Sequence, residues 1–252
     1  MPNRSWRARA KAEALADPAV VAAAVGRDAN PSRREPGSVR HAMRVDIVAD
    51  TICPWCYLGM RRLDQALAMA PDIAAERRWR IFLLNPDMAE QGTERASYLL
   101  RKFGSAERMR EVLAYLVDCG RPVGIPFRFE QIARVPNSLN SHRFIRWAAS
   151  RGRQEQAIEA IFRFYFEEGL NIGEDSVLCD AATVIGLDPQ AARRFLLSAD
   201  ERRELLMEDW EFKRLGIQGV PCFILGGKYV ISGAQAPEAF LPVFDLLRQE
   251  GR

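Results

Sequence analysis

Cys53 and Cys56 flank Pro54 and Trp55 in the run Asp50-Thr51-Ile52-Cys53-Pro54-Trp55-Cys56. The two-residue spacer brings both sulfurs within bonding distance when they share the first turn of a helix. A thiolate, not a thiol, is the nucleophile in disulfide exchange, so the attacking cysteine needs surroundings that favour negative charge. A helix N-terminus supplies them through unpaired backbone N–H groups and the positive end of its macrodipole. Cys53 stands at that point, with Pro54 as first helical residue, and Cys56 follows one turn deeper. Cys53 is therefore the expected nucleophile, with a pKa below the ~8.5 of a free thiol. Cys56 is the expected resolving thiol, less accessible and able to release a mixed disulfide. The uncharged spacer predicts only a moderate depression. Zinc is the main rival, but a tetrahedral site takes four ligands. Cys119, Cys179 and Cys222 are isolated and His41 and His142 form no paired motif, so no metal is expected. A chance pair of core cysteines is the plainer alternative, and a place on a strand-to-helix turn argues against it.

The elements that must hold this turn can be read on either side of it. Arg44 to Val48 alternates polar and apolar residues, as a strand does. Leu58, Leu63, Ala66 and Leu67 recur at helical spacing, and Pro71 closes that helix. Trp79 to Leu84 reads as a second strand, stopped by Asn85-Pro86. From Ser97 to Leu215 the signals are helical. Asp188-Pro189 predicts an N-cap followed by Pro at the first helical position, and Ser198 to Glu201 has the spacing of a capping box. After Gly216 to Pro221 come a short strand, Cys222 to Leu225, a Gly226-Gly227 turn, a returning strand, Lys228 to Ser232, and a closing helix over 237–249. The ends of the chain thus give βαβ and ββα, an α/β pattern, with helices between.

Composition narrows the function classes. Apolar residues make up 48% of the 252, enough for a sizeable core, and no run reaches the ~18 residues of a membrane span. Residues 1–44 hold nine Lys/Arg against four Asp/Glu, and the remainder is close to neutral, so no nucleic-acid stripe is indicated. Residues 1–43 read as a flexible leader. Their apolar run, Ala19 to Val25, is short for a signal peptide and follows Glu13, Asp17 and Pro18. Met43, directly before the first strand, is an alternative translation start. These features favour a cytoplasmic protein, and hence a reductant or isomerase.

The strand–Cys-Pro-Trp-Cys-Tyr–helix opening, Pro136 to Phe144 (Pro-Asn-Ser-Leu-Asn-Ser-His-Arg-Phe) and Gly219 to Gln235 together resemble the DsbA-like thioredoxin superfamily, and more closely its FrnE-like branch of dithiol–disulfide oxidoreductases. The resemblance implies a thioredoxin-like fold with a central mixed sheet, built from 44–92 and 216–252 and interrupted by a large all-helical insertion over 93–215. The 165 residues between Cys56 and Pro221 leave room for it. It also implies a cis Val220–Pro221 peptide facing the cysteines, with the Val220 backbone free to pair with a substrate and Pro221 shielding the sulfurs. Pro54 and Trp55 would line the cleft with them.

Other residues carry two readings each. Asp50 either relays a proton for Cys56 or caps the turn. His142 either contacts substrate or is a satisfied helix histidine. Cys222, where small or apolar residues are commoner, is either a third redox sulfur or a buried strand residue. The expected activity is thiol–disulfide exchange on a protein or small molecule, with an unidentified recycling partner, no bound cofactor, and glutathione as a candidate co-substrate. A monomer or homodimer with no nucleic-acid or membrane partner is expected. The rivals are a glutathione-dependent isomerase of the 2-hydroxychromene-2-carboxylate (kappa-class) type and a non-catalytic chaperone or binding module.

Overall fold

The computed structural model describes residues 42–250. In chain order the elements are β1 (Met43–Ala49), α1 (Pro54–Met69), β2 (Ala75–Ile81), β3 (Thr93–Glu94), α2 (Arg95–Phe103), α3 (Ala106–Gly120), β4 (Arg134–Val135), α4 (Leu139–Ala149), α5 (Gln154–Phe166), α6 (Asp175–Val184), α7 (Pro189–Leu197), α8 (Arg202–Arg214), β5 (Cys222–Leu225), β6 (Tyr229–Ser232) and α9 (Leu241–Glu250). Expectations for the leader fall outside the described residues, apart from Met43, which opens β1. Among the described residues no helix is long and apolar enough to cross a membrane.

The main sheet runs β2–β1–β5–β6. β1 lies parallel to β2 and antiparallel to β5, with Ile47 opposite both Trp79 and Phe223. The β5–β6 hairpin turns through Gly226 and Gly227, at φ 62° and 70°. Positive φ at both central residues is what a tight hairpin turn requires, and glycine adopts it without steric cost.

Strand alternation sends β5 to two cores. Phe223 and Leu225 join Ile47, Leu63, Phe240 and Phe244 on the face covered by α1 and α9, and this core continues into the insertion. Cys222 and Ile224 join Val48 and Phe82 on the other face, under Phe212 and Ile217.

The second strand departs from the sequence reading: it starts at Ala75 and ends at Ile81. As an edge strand it can carry charge on one side, and Arg80 pairs with buried Asp46 of β1 at 2.8 Å. The apolar run beyond leaves the ladder because carboxylates take its N–H groups: Leu83 donates to Asp209 at 2.7 Å and Leu84 to Asp50 at 2.8 Å. The insertion is helical, but it also holds a two-residue ladder, β3 with β4, too short to show a periodicity. Asp188 caps α7 as expected, accepting the Gln190 N–H. The capping box at Ser198 does not form. Ser198 Oγ accepts the Asp200 N–H at 3.1 Å, in place of that of Glu201, while donating to the Phe195 carbonyl, and Glu201 enters α8 in a left-handed conformation.

Candidate active site

Cys53 is the N-cap of α1, and no side-chain oxygen caps that helix. Its sulfur takes the position that a capping Ser or Asp oxygen would occupy, facing the third helical residue, Cys56. The turn before it is closed by the Cys53 N–H on the Asp50 carbonyl at 3.1 Å, and the helix opens with the Cys56 N–H on the Cys53 carbonyl at 2.9 Å. Both thiols are free. Cys53 keeps 5% of its surface exposed and Cys56 none, so the two differ in access.

Their electrostatics differ in the same sense. A hydrogen bond from the Cys56 side chain, then the Cys56 backbone N–H and the charge of Lys102, pull the Cys53 pKa down against burial and the charge of Asp50. Burial, followed by the hydrogen bond to Cys53, pushes Cys56 well above the ordinary thiol range. The first proton to leave the pair is therefore that of Cys53.

Pro221 faces this turn across the sheet edge. The Val220–Pro221 peptide is cis. The Cys53 Sγ donates to the Val220 carbonyl at 3.6 Å, within reach for sulfur. Pro221 is held on its far side by its carbonyl, which accepts from Gly233 N at 2.8 Å. It sits so close to α1 that a Cβ on Gly59 would lie 2.8 Å from Pro221 Cγ. Pro54 is half-buried, as is Trp55, whose ring meets Tyr115 of α3 at 6.0 Å.

A sequence model described as the DSBA-like thioredoxin domain matches residues 44–244. The chain belongs to the DsbA-like thioredoxin family. Members of the family are generally thiol–disulfide oxidoreductases, and the fold is the DsbA-like thioredoxin fold with its helical insertion. A probable DsbA oxidoreductase from Streptomyces coelicolor is 31% identical, with a TM-score of 0.74, over 80% of this chain and 88% of that one. The cytosolic disulfide reductase DsbM of Pseudomonas aeruginosa, solved with GSH, shares the fold at 19% identity and a TM-score of 0.58, over 81% of this chain and 99% of its own. An uncharacterized protein of Bacillus subtilis, YwbO, is 22% identical over 79% of this chain and 94% of its own length.

Within this DsbA-like frame, each residue given two readings takes a definite place. Asp50 caps the turn before α1: it is fully buried, and its carboxylate accepts Ile52 N–H at 3.3 Å and Leu84 N–H at 2.8 Å, tying that turn to the end of β2. His142 does not line an open cleft: at 1% exposure it cannot touch a bound substrate, and it faces Asp50 from below. Cys222 points to the sheet face opposite Cys53 and Cys56, and burial pushes its thiol up to about 11. Among the described residues no group of His, Cys, Asp and Glu could hold a metal ion. Lys102 was missed by the sequence reading, because an exposed lysine in a helical run carries no signal of its distance to a cysteine 49 positions earlier.

Proposed function

We propose that the chain is a thiol–disulfide oxidoreductase in which the Cys53 thiolate attacks a substrate disulfide and Cys56 resolves the mixed disulfide. The observation that carries this reading is the pair of free thiols on the first turn of α1, with Cys53 as N-cap 3.6 Å from the Val220 carbonyl of the cis Val220–Pro221 peptide and Cys56 fully buried behind it. The substrate is a disulfide, in an extended peptide or in a small molecule such as oxidised glutathione, that pairs with the Val220 backbone beside the attacking Cys53 sulfur. Trp55 and Pro54 form the rim of the cleft. Segments 44–92 and 216–252 act as the redox domain, and 93–215 as the insertion that walls it. The segments Asp50 to Gly59, 136–144 and 219–235 support the FrnE-like branch. A cytoplasmic setting would run the pair as a reductant or isomerase, since thiols are kept reduced there.

Insulin reduction with dithiothreitol as recycling thiol tests the reading. Cys53→Ser should abolish catalysis, and Cys56→Ser should trap a mixed disulfide detectable by intact mass. Full activity in the Cys53→Ser variant would refute it.

A further inference from the structure

α8 turns one side to the main sheet and the other to solvent. Inward, Leu205 joins Ile81, Leu83 and Leu139, and Phe212 packs against Phe82 and Cys222. Outward, Leu206, Met207 and Trp210 keep 41%, 52% and 59% of their surface exposed. With Ala199, Arg202 and Arg203 they line an open groove of about 440 Å³. A single exposed apolar side chain is ordinary, whereas several sharing one groove mark an interaction surface. Arg203, Met207, Trp210 and Arg214 follow one another at spacings of four, three and four. They form one stripe, with the spacing of a helix that meets another helix. Arg214 lies over the Trp210 ring at 4.9 Å.

The charges on this helix divide in the same way. Those at its flanks are paired within the chain: Arg202 with Glu90 at 3.4 Å, Glu208 with Arg80 at 3.6 Å, and Lys213 with Asp209 at 2.7 Å. Arg203 and Glu211 are exposed, and their side chains form no hydrogen bond or ion pair among the described residues. They stand about one helical turn to either side of Met207. A twofold interface requires a patch that complements itself. Two copies of α8 laid antiparallel across Met207 meet that condition. Arg203 of each copy then faces Glu211 of the other, and the apolar side chains lie between the two ion pairs. We propose that α8 is the interface of a homodimer, with Met207 at the twofold axis and Leu206 and Trp210 packed beside it. Trp, Met and Arg are among the residue types enriched where proteins meet. α8 packs on the sheet face opposite α1, so pairing through it leaves Cys53 of both copies turned away from the interface.

Light scattering of the reduced full chain, over a dilution series through the micromolar range, tests the surface. The wild type should be a dimer that dissociates on dilution. Met207→Glu should weaken it about a hundredfold, because two carboxylates would meet at the axis. Arg203→Glu and Glu211→Arg should each weaken it about tenfold, since each turns two facing ion pairs into like-charge contacts. The double variant Arg203→Glu/Glu211→Arg restores opposite charges across the axis. It should return the dissociation constant to within about threefold of wild type, which independent effects would not do. All three positions are exposed, and an unchanged far-ultraviolet circular dichroism spectrum verifies that each variant is folded. A monomer throughout the series overturns the proposal, whether the helix then proves bare, covered by residues 1–41 or held by another protein. So does a dimer that Met207→Glu leaves intact, or a double variant that associates no more tightly than the single ones.

Discussion

Gly59→Ala is a one-methyl perturbation whose sign the structure decides. Gly59 lies within α1, where alanine would ordinarily gain about 1 kcal/mol over glycine. The added Cβ would stand 2.8 Å from Pro221 Cγ, 3.1 Å from Phe223 Cζ and 3.5 Å from Ala234 Cβ. Carbon contacts are comfortable at ~3.5–4.0 Å, so the first two must open. Neither neighbour is the free end of a flexible chain. Pro221 is a ring whose carbonyl is tied to Gly233, and Phe223 sits in β5 between β1 and β6. Overpacking of this kind costs ~1–3 kcal/mol. It therefore offsets and exceeds the helix gain, and a net loss of about 1 kcal/mol is expected from those two terms. Relief would displace Pro221 away from α1 and stretch the Cys53–Val220 contact, which is 3.6 Å in the native chain. Urea unfolding of the reduced protein measures the stability, and iodoacetamide alkylation of Cys53 at neutral pH measures the site. A Gly59→Ala protein that is more stable by the full helix increment, with unchanged alkylation, would show that the close approach of Pro221 is not what keeps a glycine here.

The other expectations concern charge and buried donors. Lys102→Glu should slow Cys53 alkylation at neutral pH, because the lysine charge helps lower that pKa; an unchanged rate–pH curve would exclude the lysine. Cys222→Ala should leave insulin reduction intact. Because burial raises the folded pKa of Cys222 to about 11 from 9.0, its stability contribution is full below pH 9 and lost as pH rises through about 11. By linkage the variant should lose less stability across that interval, by up to about 2–3 kcal/mol, and identical alkaline denaturation curves would contradict this. Arg143→Met should destabilise the insertion by about 3 kcal/mol, since buried acceptors left unpaired cost ~1–3 kcal/mol each. Arg143 donates to the carbonyls of Phe195, Leu196, Ser198 and Asp200 at the end of α7. Thermal unfolding with no loss would show that water replaces those bonds.

What the sequence made legible follows from where its signals are local. The period-two run at β1, the Gly226-Gly227 turn and the Cys-Pro-Trp-Cys opening each declare themselves within a few residues, and all lie in the described elements as read. The end of β2 did not, because Phe82 to Leu84 looks like a strand. Phe82 N–H still reaches the Ala49 carbonyl, but those of Leu83 and Leu84 are claimed by Asp209 and Asp50, the first 126 positions from its donor. Ser198 misled for a different reason: its spacing to Glu201 fits a helix start, yet its oxygen takes the Asp200 N–H and the next helix begins one step later, with Glu201 at positive φ as N-cap. His142 could be placed on a helix near the site but not given a side to face. Only the packing of α4 against β2 and the Asp50–Cys53 turn directs it away from the cleft, toward Asp50.

Within the proposed cycle, the same contact that prepares the first step creates the difficulty of the second. The Cys53 thiolate is stabilised chiefly by its resolving partner, whose hydrogen bond is the largest influence lowering its pKa. Attack on a substrate consumes that negative charge, so Cys56 loses its acceptor. The burial that raises the Cys56 pKa remains, since none of its surface is exposed. Loss of a proton therefore weighs on the second step of the proposed cycle rather than the first, and it falls at Cys56.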